Sequence, residues 1–464
     1  MSSAISDSSK QLQESTKLAD DVNISLKNNF TKLTVETPSP VVELLSENDS
    51  SDNSDDDNVT NDENLETVIA FSNFDAADNN QLSFARGDEI QVISKPNDDW
   101  WWAIINGQHG YIPANHTKCK SKAEWEAERW QDEEYFESYS NLKLHLEMLG
   151  DEVRTNAYKE AIKQNADFIK DKVVLDVGCG TGILSLFAAK YGHAKKVYAV
   201  EASEIAEHTV QLIERNGYSD KVCVISGKIE DILLPEKVDI IISEWMGTLL
   251  LFELMIESVL GARNNWLKDT GVMWPSDAFL HLVPCSAAQE YNKVSFWNNV
   301  YEFDFSYLKT LALKEFFSKP IFNHELKTEN FLTDPKTVLE LNMKSFEIEE
   351  LEEIHREFSF EITKNGTFHG FGSWFSVEFC VMTSNNSPVT LDTGPYGRST
   401  HWKQDLFMMD KPVDVIVGDR ISGKIIIRRN QDWRRHLKVV FRFKVTRDSD
   451  TIVQEFNKLF LLWR

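Results

Sequence analysis

The first regular pattern along the chain is a series of short apolar runs that begins near Thr67. The runs are separated by turn-forming residues, among them Asn106 and Gly107. They occupy residues 68–71, 89–93, 100–105 and 110–113. Short apolar runs divided by tight turns predict a small all-β barrel, which we assign to residues 67–120.

After residue 150 the pattern changes to alternating amphipathic and apolar segments. Helical periodicity occupies 151–168, 183–190 and 203–215, and apolar runs of strand length occupy 172–177, 196–201, 222–226 and 238–243. Strands that alternate with helices predict a parallel, doubly wound α/β sheet, here over residues 148–275. After Pro275 the β pattern returns, which predicts a second β domain over residues 276–464. Its runs are 279–283, 358–362, 375–381, 413–417, 424–427 and 438–445.

Two further segments precede the α/β pattern. Residues 122–139 are charged and have a helical period, so we assign 121–147 to a linker and N-terminal helices. Residues 1–66 hold 15 acids against 4 lysines and contain no tryptophan or tyrosine. A segment of this kind buries too little apolar area to offset its ordering entropy, so it is predicted to be a disordered acidic tail.

Composition narrows the class of protein. The 464 residues contain no apolar run of 18, because Glu253 and Glu257 interrupt the richest stretch, so a membrane span is not expected. The first ten residues are polar, and no secretory signal is expected. The five cysteines form no CxxC pair, which argues against a disulfide framework and against a metal site. We therefore expect a reducing, intracellular location.

The formal net charge is −25, from 74 acids against 49 lysines and arginines. Such a field argues against direct binding of nucleic acid, whose phosphates it would repel. It is compatible with a basic partner, since an acidic surface raises the encounter rate with cations. Solubility alone is the other explanation of this charge.

A glycine-rich turn follows the first strand of the predicted parallel sheet. Gly178, Gly180 and Gly182 stand in GxGxG spacing between the apolar run 173–177 and the next helix. Glycines let the backbone approach a ligand closely, and ligands of such sheets bind beyond the carboxyl ends of the strands. Glu201 ends the next strand, where an acid can accept from both hydroxyls of a ribose. A plain tight turn and a helix-capping acid remain open for these residues.

Two acids, Glu244 and Glu253, flank a glycine-containing bend after the run 238–243. Paired carboxylates at this edge match the planar, bidentate cation that an arginine side chain presents. Glu253 stands among leucine, phenylalanine and methionine, where an unpartnered charge is costly. The alternative is a pair of solvated acids on an exposed helix.

At this point the sequence resembles the S-adenosylmethionine-dependent methyltransferases, and the two acids resemble the double-glutamate loop of the protein arginine methyltransferases. Further matching motifs are Tyr135-Phe-Glu-Ser-Tyr139, Gly227-Lys-Ile-Glu230 and Thr400-His-Trp-Lys-Gln404. The resemblance covers about residues 122–464. It implies a multidomain chain in which a Rossmann-like cofactor domain precedes a β-barrel domain with a helical dimerisation arm near 291–320.

The resemblance also implies roles for individual residues. The implied cofactor-binding residues are His145, Arg154, Gly178, Glu201 and Glu230, and the implied catalytic residues are Glu244, Glu253, His401 and Asp151. The implied substrate pocket contains Tyr139, Met148, Met255 and Trp402. Arg154 would pair with the methionyl carboxylate, and Glu230 with the adenine amine. Either Glu253 or the His401–Asp151 pair would receive the proton, and no metal is implied.

The reaction implied is methyl transfer from S-adenosylmethionine to guanidinium nitrogens of arginine-rich proteins, such as histones and Arg/Gly-rich proteins. Met148 and Met255 correspond to methionines of members that make mono- and asymmetric dimethylarginine, the type I products. The resemblance further implies a homodimer and a location in the cytoplasm and nucleus. Thr248 replaces the aromatic residue that commonly follows Ser-Glu-Trp-Met-Gly in the family, so we expect low activity or an altered substrate preference.

Residues 67–120 resemble a Src-homology-3 (SH3) domain, whose aromatic groove binds polyproline helices. The expected groove residues are Phe74, Trp100, Pro113 and His116. Because Ser72 and His116 replace usual aromatic residues, an unusual ligand is expected more than a strict PxxP peptide. Two other function classes stay open: a weakly active adaptor or transcriptional coregulator acting through this domain, and a methyltransferase for another nucleophile. Paired carboxylates disfavour the latter, since they repel anionic substrates.

Overall fold

The computed structural model describes residues 66–463 except 71–72, 77, 79, 86, 98, 119–121, 383–386 and 449–450, with only the backbone of 115, 118 and 122–129. The predicted disordered tail therefore lies outside the described residues, apart from Glu66. None of the described helices is long and apolar enough to span a membrane.

Residues 66–118 form an SH3-like antiparallel sheet of five strands in the order β4-β3-β2-β1-β5. The strands are β1 (Glu66–Ala70), β2 (Glu89–Ser94), β3 (Trp100–Ile105), β4 (Gln108–Pro113) and β5 (Thr117–Lys118). Alternate apolar side chains, among them Val68, Ile90 and Ile112, are fully buried in one core. The predicted β unit is confirmed, and its four runs match β1 to β4 within two residues.

Four helices follow: α1 (Lys122–Ser138), α2 (Leu142–Gly150), α3 (Glu152–Gln164) and α4 (Ala166–Ile169). The Asp151 side chain accepts from Arg154 N and so begins α3. The prediction of one continuous helix over 151–168 was wrong. Asn165 interrupts it, because its side-chain amide donates to Ala161 O and Cys380 O and accepts from Met382 N.

A parallel sheet of five strands comes next, in the order β10-β9-β6-β7-β8. Its elements are β6 (Val173–Val177), α5 (Ile183–Lys190), β7 (Lys196–Glu201), α6 (Ile205–Arg215), β8 (Val222–Ser226), β9 (Val238–Ile242), α7 (Met255–Trp266) and β10 (Leu267–Trp274). The predicted Rossmann-like architecture is confirmed. β10 was not predicted, since its lysine, aspartate, threonine and glycine break the apolar run. The strand order reverses between β6 and β9, and open sheets bind ligands at such a reversal.

The C-terminal β-barrel domain is built from two antiparallel sheets. Its elements are β11 (Asp277–Cys285), α8 (Ala288–Ser295), α9 (Ser306–Phe316), β12 (Ile321–His324), β13 (Lys336–Asn342), β14 (Glu353–Glu361), β15 (Gly366–Phe379), β16 (Val389–Asp392), β17 (Gln404–Val415), β18 (Arg420–Arg429), β19 (Leu437–Arg447) and β20 (Thr451–Leu462). One sheet has the order β12-β17-β15-β11-β13, with β16 paired to β15, and the other has the order β14-β18-β19-β20. Phenylalanines join them, as where Phe371 of β15 stacks on Phe441 of β19 at 5.1 Å.

The segment that holds α8 and α9 carries an unusual number of exposed aromatic side chains. Tyr301 is 90 % exposed, Tyr307 84 % and Phe303 69 %. On the inner side of the same segment, Val294 and Phe317 are buried against the barrel. The predicted arm is therefore anchored on one side and presents an apolar surface on the other.

Candidate active site

A cavity of about 1070 Å³, including its open mouth, lies at the carboxyl ends of the parallel strands. Ten predicted residues line it: Tyr139, His145, Met148, Arg154, Gly178, Glu201, Glu230, Glu244, Glu253 and Met255. Asp151, His401 and Trp402 do not line it. The parallel topology explains the grouping, because β6, β7 and β9 end at the same edge of the sheet.

The glycine turn after β6 brings backbone to the cavity wall. Gly178 has φ +69°, and a Cβ there would lie 2.3 Å from Met255 Cε, so the position favours glycine. The carboxylate of Glu201 accepts from Gly180 N and from Ser203 N, both at 2.8 Å. Each oxygen retains a lone pair, so Glu201 can also accept two hydroxyl groups from a ligand.

Two more polar side chains, those of His145 and Glu230, line the cavity. His145 is buried, and its Nε2 lies 2.7 Å from Tyr139 O. Glu230 Oε1 accepts from Ser258 Oγ at 2.5 Å. Both side chains are thus held in place before any ligand enters.

The segment between β9 and α7 carries Glu244 and Glu253, and we call residues 244–254 the double-glutamate loop. Four of its non-glycine residues have left-handed backbone: Leu249, Leu250, Glu253 and Leu254, with φ between 53° and 74°. A Cβ at Gly247 would lie 2.1 Å from Phe252 O, so the bend tolerates only glycine. Left-handed non-glycine residues cost on the order of 1 kcal/mol each, so the surroundings must hold this loop.

Glu244 is paired with Arg154, and its side chain is 9 % exposed. Arg154 Nε and Nη2 both donate to Glu244 Oε2, at 2.9 and 2.7 Å. Burial by itself would lower the pKa of Arg154, but the Glu244 charge and hydrogen bond raise it above its ordinary value. Glu244 Oε1 is buried and has no hydrogen-bond partner in the described part of the chain. That oxygen is therefore an unused acceptor in the cavity wall.

Glu253 is 9 % exposed, and its Oε2 accepts from the Tyr139 hydroxyl at 2.6 Å. Burial, the neighbouring Tyr135 and the charge of Glu253 hold the pKa of Tyr139 well above its ordinary value. Tyr139 therefore stays a hydrogen-bond donor throughout the neutral pH range. It fixes one side of the Glu253 carboxylate.

His401 and Asp151 meet just outside the cavity. His401 Nδ1 and His401 N each lie 2.8 Å from Asp151 Oδ2, and Asp151 Oδ1 accepts from Arg154 N. Burial would raise the pKa of Asp151, but the hydrogen bonds from the His401 ring and the two backbone amides, with the His401 charge, lower it. Trp402 Nε1 donates to Met246 O in the double-glutamate loop. Asp151 and Trp402 therefore contact the start of α3 and the double-glutamate loop, which in turn carry residues of the cavity wall.

Two buried carboxylates near the site were not singled out in the sequence. Burial raises the pKa of Asp176 to about 7, and its Oδ2 accepts from Ser185 Oγ. Burial also raises the pKa of Asp405 to about 7, and its Oδ2 accepts from Leu249 N at 3.1 Å. Asp405 thus supports the strained double-glutamate loop from β17.

Sequence reasoning also missed the site role of two residues that line the cavity, Lys228 and Arg435. Lys228 stands inside the quoted turn 227–230, but its contact with Asp132 is long-range. Arg435 belongs to the loop between β18 and β19 and forms an ion pair with Asp132 at 2.7 Å. Neither role can be predicted from neighbouring residues, because each side chain pairs with Asp132, which is distant in the sequence. Among the described residues, no three His, Cys, Asp or Glu side chains are grouped as metal ligands would be.

The SH3-like sheet brings its four predicted groove residues together. The Phe74 ring lies 6.0 Å from Trp100 and 5.4 Å from His116, centroid to centroid, and Trp100 pairs with Pro113 across β3 and β4. Partial burial lowers the pKa of His116, which favours a neutral ring at pH 7. The four side chains thus form one largely apolar surface.

Three family models match the chain in turn. The SH3 domain model matches residues 69–114, the model of ribosomal protein L11 methyltransferase matches 156–265, and the arginine methyltransferase oligomerization subdomain matches 276–449. The order agrees with the three folded parts described above.

Curated relatives extend over most of the chain. Protein arginine N-methyltransferase 2 of Homo sapiens is 52 % identical over 402 residues, which are 86 % of this chain and 93 % of the relative. The chain belongs to the protein arginine N-methyltransferase family. Protein arginine N-methyltransferase 2 of Xenopus tropicalis is 49 % identical over 392 residues, which are 83 % of this chain and 90 % of the relative.

Solved structures of the family agree with this fold. A chain of the Trypanosoma brucei PRMT1 enzyme-prozyme heterotetrameric complex with AdoHcy is 34 % identical, with a TM-score of 0.65 over 70 % of this chain and 100 % of that chain. Protein arginine methyltransferase 10 of Arabidopsis thaliana, in an open conformation, is also 34 % identical, with a TM-score of 0.64 over 70 % and 99 %.

Proposed function

We propose that this chain transfers methyl groups from S-adenosylmethionine to arginine side chains of proteins. The observation that carries the proposal is that Glu244 and Glu253 line the same cavity, and that Glu244 Oε1 has no hydrogen-bond partner among the described residues. Two carboxylates suit a planar cation with several donors. A guanidinium is such a cation.

The residues of the cavity fit S-adenosylmethionine. Gly178 leaves room for the amino-acid part, Glu201 offers lone pairs to the ribose hydroxyls, and Glu230 offers an acceptor to the adenine amine. Arg154 lines the cavity and would pair with the carboxylate of the amino-acid part, although Glu244 already accepts from two of its donors. Arg154 Nη1 donates to Met148 O at 3.2 Å. When bound, S-adenosylmethionine supplies an activated methyl group on a sulfonium.

The chain itself contributes orientation and electrostatics. Glu244 and Glu253 bind the guanidinium on one side, which concentrates its positive charge there and leaves the opposite nitrogen richer in electron density. That nitrogen would take the methyl group as the carbon–sulfur bond of the sulfonium breaks and leaves a neutral thioether, and the nitrogen would then lose a proton. We assign proton acceptance to Glu253, which lines the cavity, and a positioning role to the His401–Asp151 pair, which holds the start of α3 and so Arg154.

The type I product is the finer part of this proposal. Met148 and Met255 both line the cavity, and Met255 Cε lies against Gly178. Their bulk beside the reacting nitrogens would favour a second methyl group on the same nitrogen. Mass spectrometry of the product, with asymmetric and symmetric dimethylarginine standards, tests this assignment directly.

The test of the main proposal uses labelled S-adenosylmethionine with an Arg/Gly-rich peptide and its Arg→Lys version. We expect label on the arginine peptide only. Label on both peptides, or on neither, would show that the proposal is wrong. The second candidate is an adaptor that acts through its SH3-like domain, favoured by the assembled groove of Phe74, Trp100, Pro113 and His116. A chain that binds peptide there and methylates nothing would support the adaptor.

We also propose a homodimer that forms through the arm of α8 and α9. The exposed side chains Phe303, Tyr301 and Tyr307 require a partner surface, and exposed Leu142 and Leu146 of α2 form an apolar face on the same chain. Two unlike patches on one chain suit a head-to-tail pair that closes.

A further inference from the structure

The loop between β18 and β19, residues 430–436, binds α1 through backbone and side chain. Gln131 Nε2 donates to Asp432 O at 2.8 Å, and Gln131 Oε1 accepts from Arg434 N at 3.0 Å. Both ends of one amide are therefore satisfied by this loop. The contact fixes α1 against the barrel domain.

Arg435 of the same loop contacts both α1 and the double-glutamate loop. Its Nε and Nη2 donate to Asp132 Oδ1 at 3.1 and 2.7 Å, and its Cζ lies 3.9 Å from the centroid of the Tyr135 ring. Its Nη1 donates to Glu253 O, and its own carbonyl accepts from Glu253 N, each at 3.1 Å. Arg435 thus hydrogen-bonds both backbone groups of Glu253 and also contacts α1.

Both partners of Arg435 form part of the active site. α1 supplies Tyr135 and Phe136 to the cavity wall, and Tyr139, which follows it, donates to the Glu253 carboxylate. Glu253 itself has φ +74°, a conformation that needs support from its neighbours. The two hydrogen bonds to Arg435 provide that support at both ends of the residue.

The charges around Arg435 are matched and partly shielded from water. The side chains of Arg435 and Asp132 are 19 % and 23 % exposed. Burial would raise the pKa of Asp132, but the charges of Arg435 and Lys228 lower it below its ordinary value. Lys228 belongs to the turn that carries Glu230, and both line the cavity, so the ion-pair network reaches this turn.

We propose that Arg435 is a positioning residue that couples the cofactor cavity to the substrate clamp. It holds α1 over the cavity through Asp132 and Tyr135, and it holds Glu253 in its strained conformation. Cofactor retention and guanidinium binding therefore depend on the same side chain. The coupling to guanidinium binding rests on the proposed function, whereas the contact with α1 does not.

The test compares R435K with R434K in the full-length protein. Lysine retains the charge but loses the planar fork that serves Asp132 and Glu253 together. We expect R435K to weaken binding of S-adenosylhomocysteine, measured by calorimetry, about tenfold, and to raise the KM for an Arg/Gly-rich peptide at least fivefold. It should also speed amide hydrogen exchange in residues 130–139. R434K is the matched control, because the Arg434 side chain pairs with Glu257 and Glu352 away from the cavity, and both constants should stay within twofold.

D132N separates the two halves of the proposal. It removes the charge on α1 that pairs with Arg435 but leaves the hydrogen bonds between Arg435 and Glu253, so we expect weaker S-adenosylhomocysteine binding with peptide KM within twofold of wild type. Unchanged cofactor binding and unchanged exchange in both R435K and D132N would overturn the proposal. An unchanged peptide KM in R435K would overturn the coupling to the clamp. If the wild-type protein methylates no arginine, the proposed function fails, while cofactor binding and exchange still test the hold on α1.

Discussion

Arg154 donates two hydrogen bonds to one carboxylate oxygen of Glu244, and the other oxygen is buried without a partner among the described residues. The pair orients Glu244 before a substrate is present, so less ordering is needed when a guanidinium binds. It also joins the residue expected at the methionyl carboxylate to one expected at the substrate. The Arg154–Glu244 ion pair therefore joins the part of the cavity expected to hold the cofactor to the part expected to hold the substrate.

Replacing either glutamate by glutamine should lower kcat/KM for an arginine peptide. A hydrogen bond to a charged group contributes about 1.5–3 kcal/mol, so we expect a loss of about 10- to 100-fold for E244Q and for E253Q. Steady-state kinetics with the peptide give this ratio. The exposed E349Q is the control and should match wild type, and wild-type turnover in both cavity variants would contradict the clamp.

Asp405 should make the protein less stable as pH rises. Its folded pKa is raised from 3.8 to about 7, so the stability linked to its proton is complete below pH 4 and lost as pH rises to 7. D405N can still accept from Leu249 N without carrying a charge. We expect D405N to have a higher Tm than wild type at pH 8. The gain in free energy of unfolding is a few kcal/mol, on the order of 1.4 kcal/mol per unit of pKa shift. The difference in Tm should disappear near pH 4. Thermal melts at both pH values measure this, with the exposed D334N as control; a gap that does not change with pH would count against it.

Asp151 should have the opposite pH dependence. Its folded pKa is lowered, so its contribution to stability is present above pH 4 and is lost as pH falls through the folded pKa. D151N should therefore lower the free energy of unfolding at pH 7 by about 1 kcal/mol, because asparagine is a neutral acceptor for the hydrogen bonds from His401. Denaturant titrations at pH 7 and pH 3 measure the difference, which should be smaller at the lower pH. D167N, at the exposed start of α4, controls for loss of charge, and equal effects of the two variants would argue against a special role for Asp151.

The arm should set the oligomeric state. We expect F303S/Y307S to convert a dimer into a monomer in light scattering at micromolar concentration, because it removes two large exposed aromatic anchors. Y396S removes an aromatic side chain that is 61 % exposed outside the arm and should leave the dimer intact. A wild-type monomer, or a dimer that survives both arm substitutions, would contradict the proposed interface.

The SH3-like groove should bind peptide independently of catalysis. W100A should weaken binding of a proline-rich peptide by at least about 30-fold, the effect of losing a 2 kcal/mol anchor. W102A is the matched control, since the Trp102 ring packs on Tyr111, at 4.8 Å, and not on Phe74. Fluorescence titration measures both affinities. Equal losses in the two variants would place the ligand elsewhere.

Much of the fold was predictable because its signals are local. Apolar runs mark β6, β7, β8 and β9, and their parallel order places Glu201 and Glu244 at one edge. The break between α3 and α4 was not predictable, since Asn165 takes its partners from Cys380 and Met382, more than 200 residues away. β10 escaped notice because its pairing with β9 outweighs a polar sequence.

In the candidate site, too, the features with local sequence signals were predictable and those that depend on distant partners were not. Glycines and acids at strand ends indicate the cavity, because strand ends can be located from local pattern. The supports of the double-glutamate loop come from β17 and from the β18–β19 loop, as Asp405 and Arg435. No spacing rule connects them to Leu249 or Glu253, so only the folded chain reveals them.

The contact between Arg435 and Asp132 spans 303 positions of the chain. During synthesis from the N-terminus, α1 therefore leaves the ribosome long before its holding residue exists. The Rossmann-like sheet can fold in that interval, but the wall that α1 gives to the cavity cannot settle. The order of translation thus delays a complete active site until both later domains have been made.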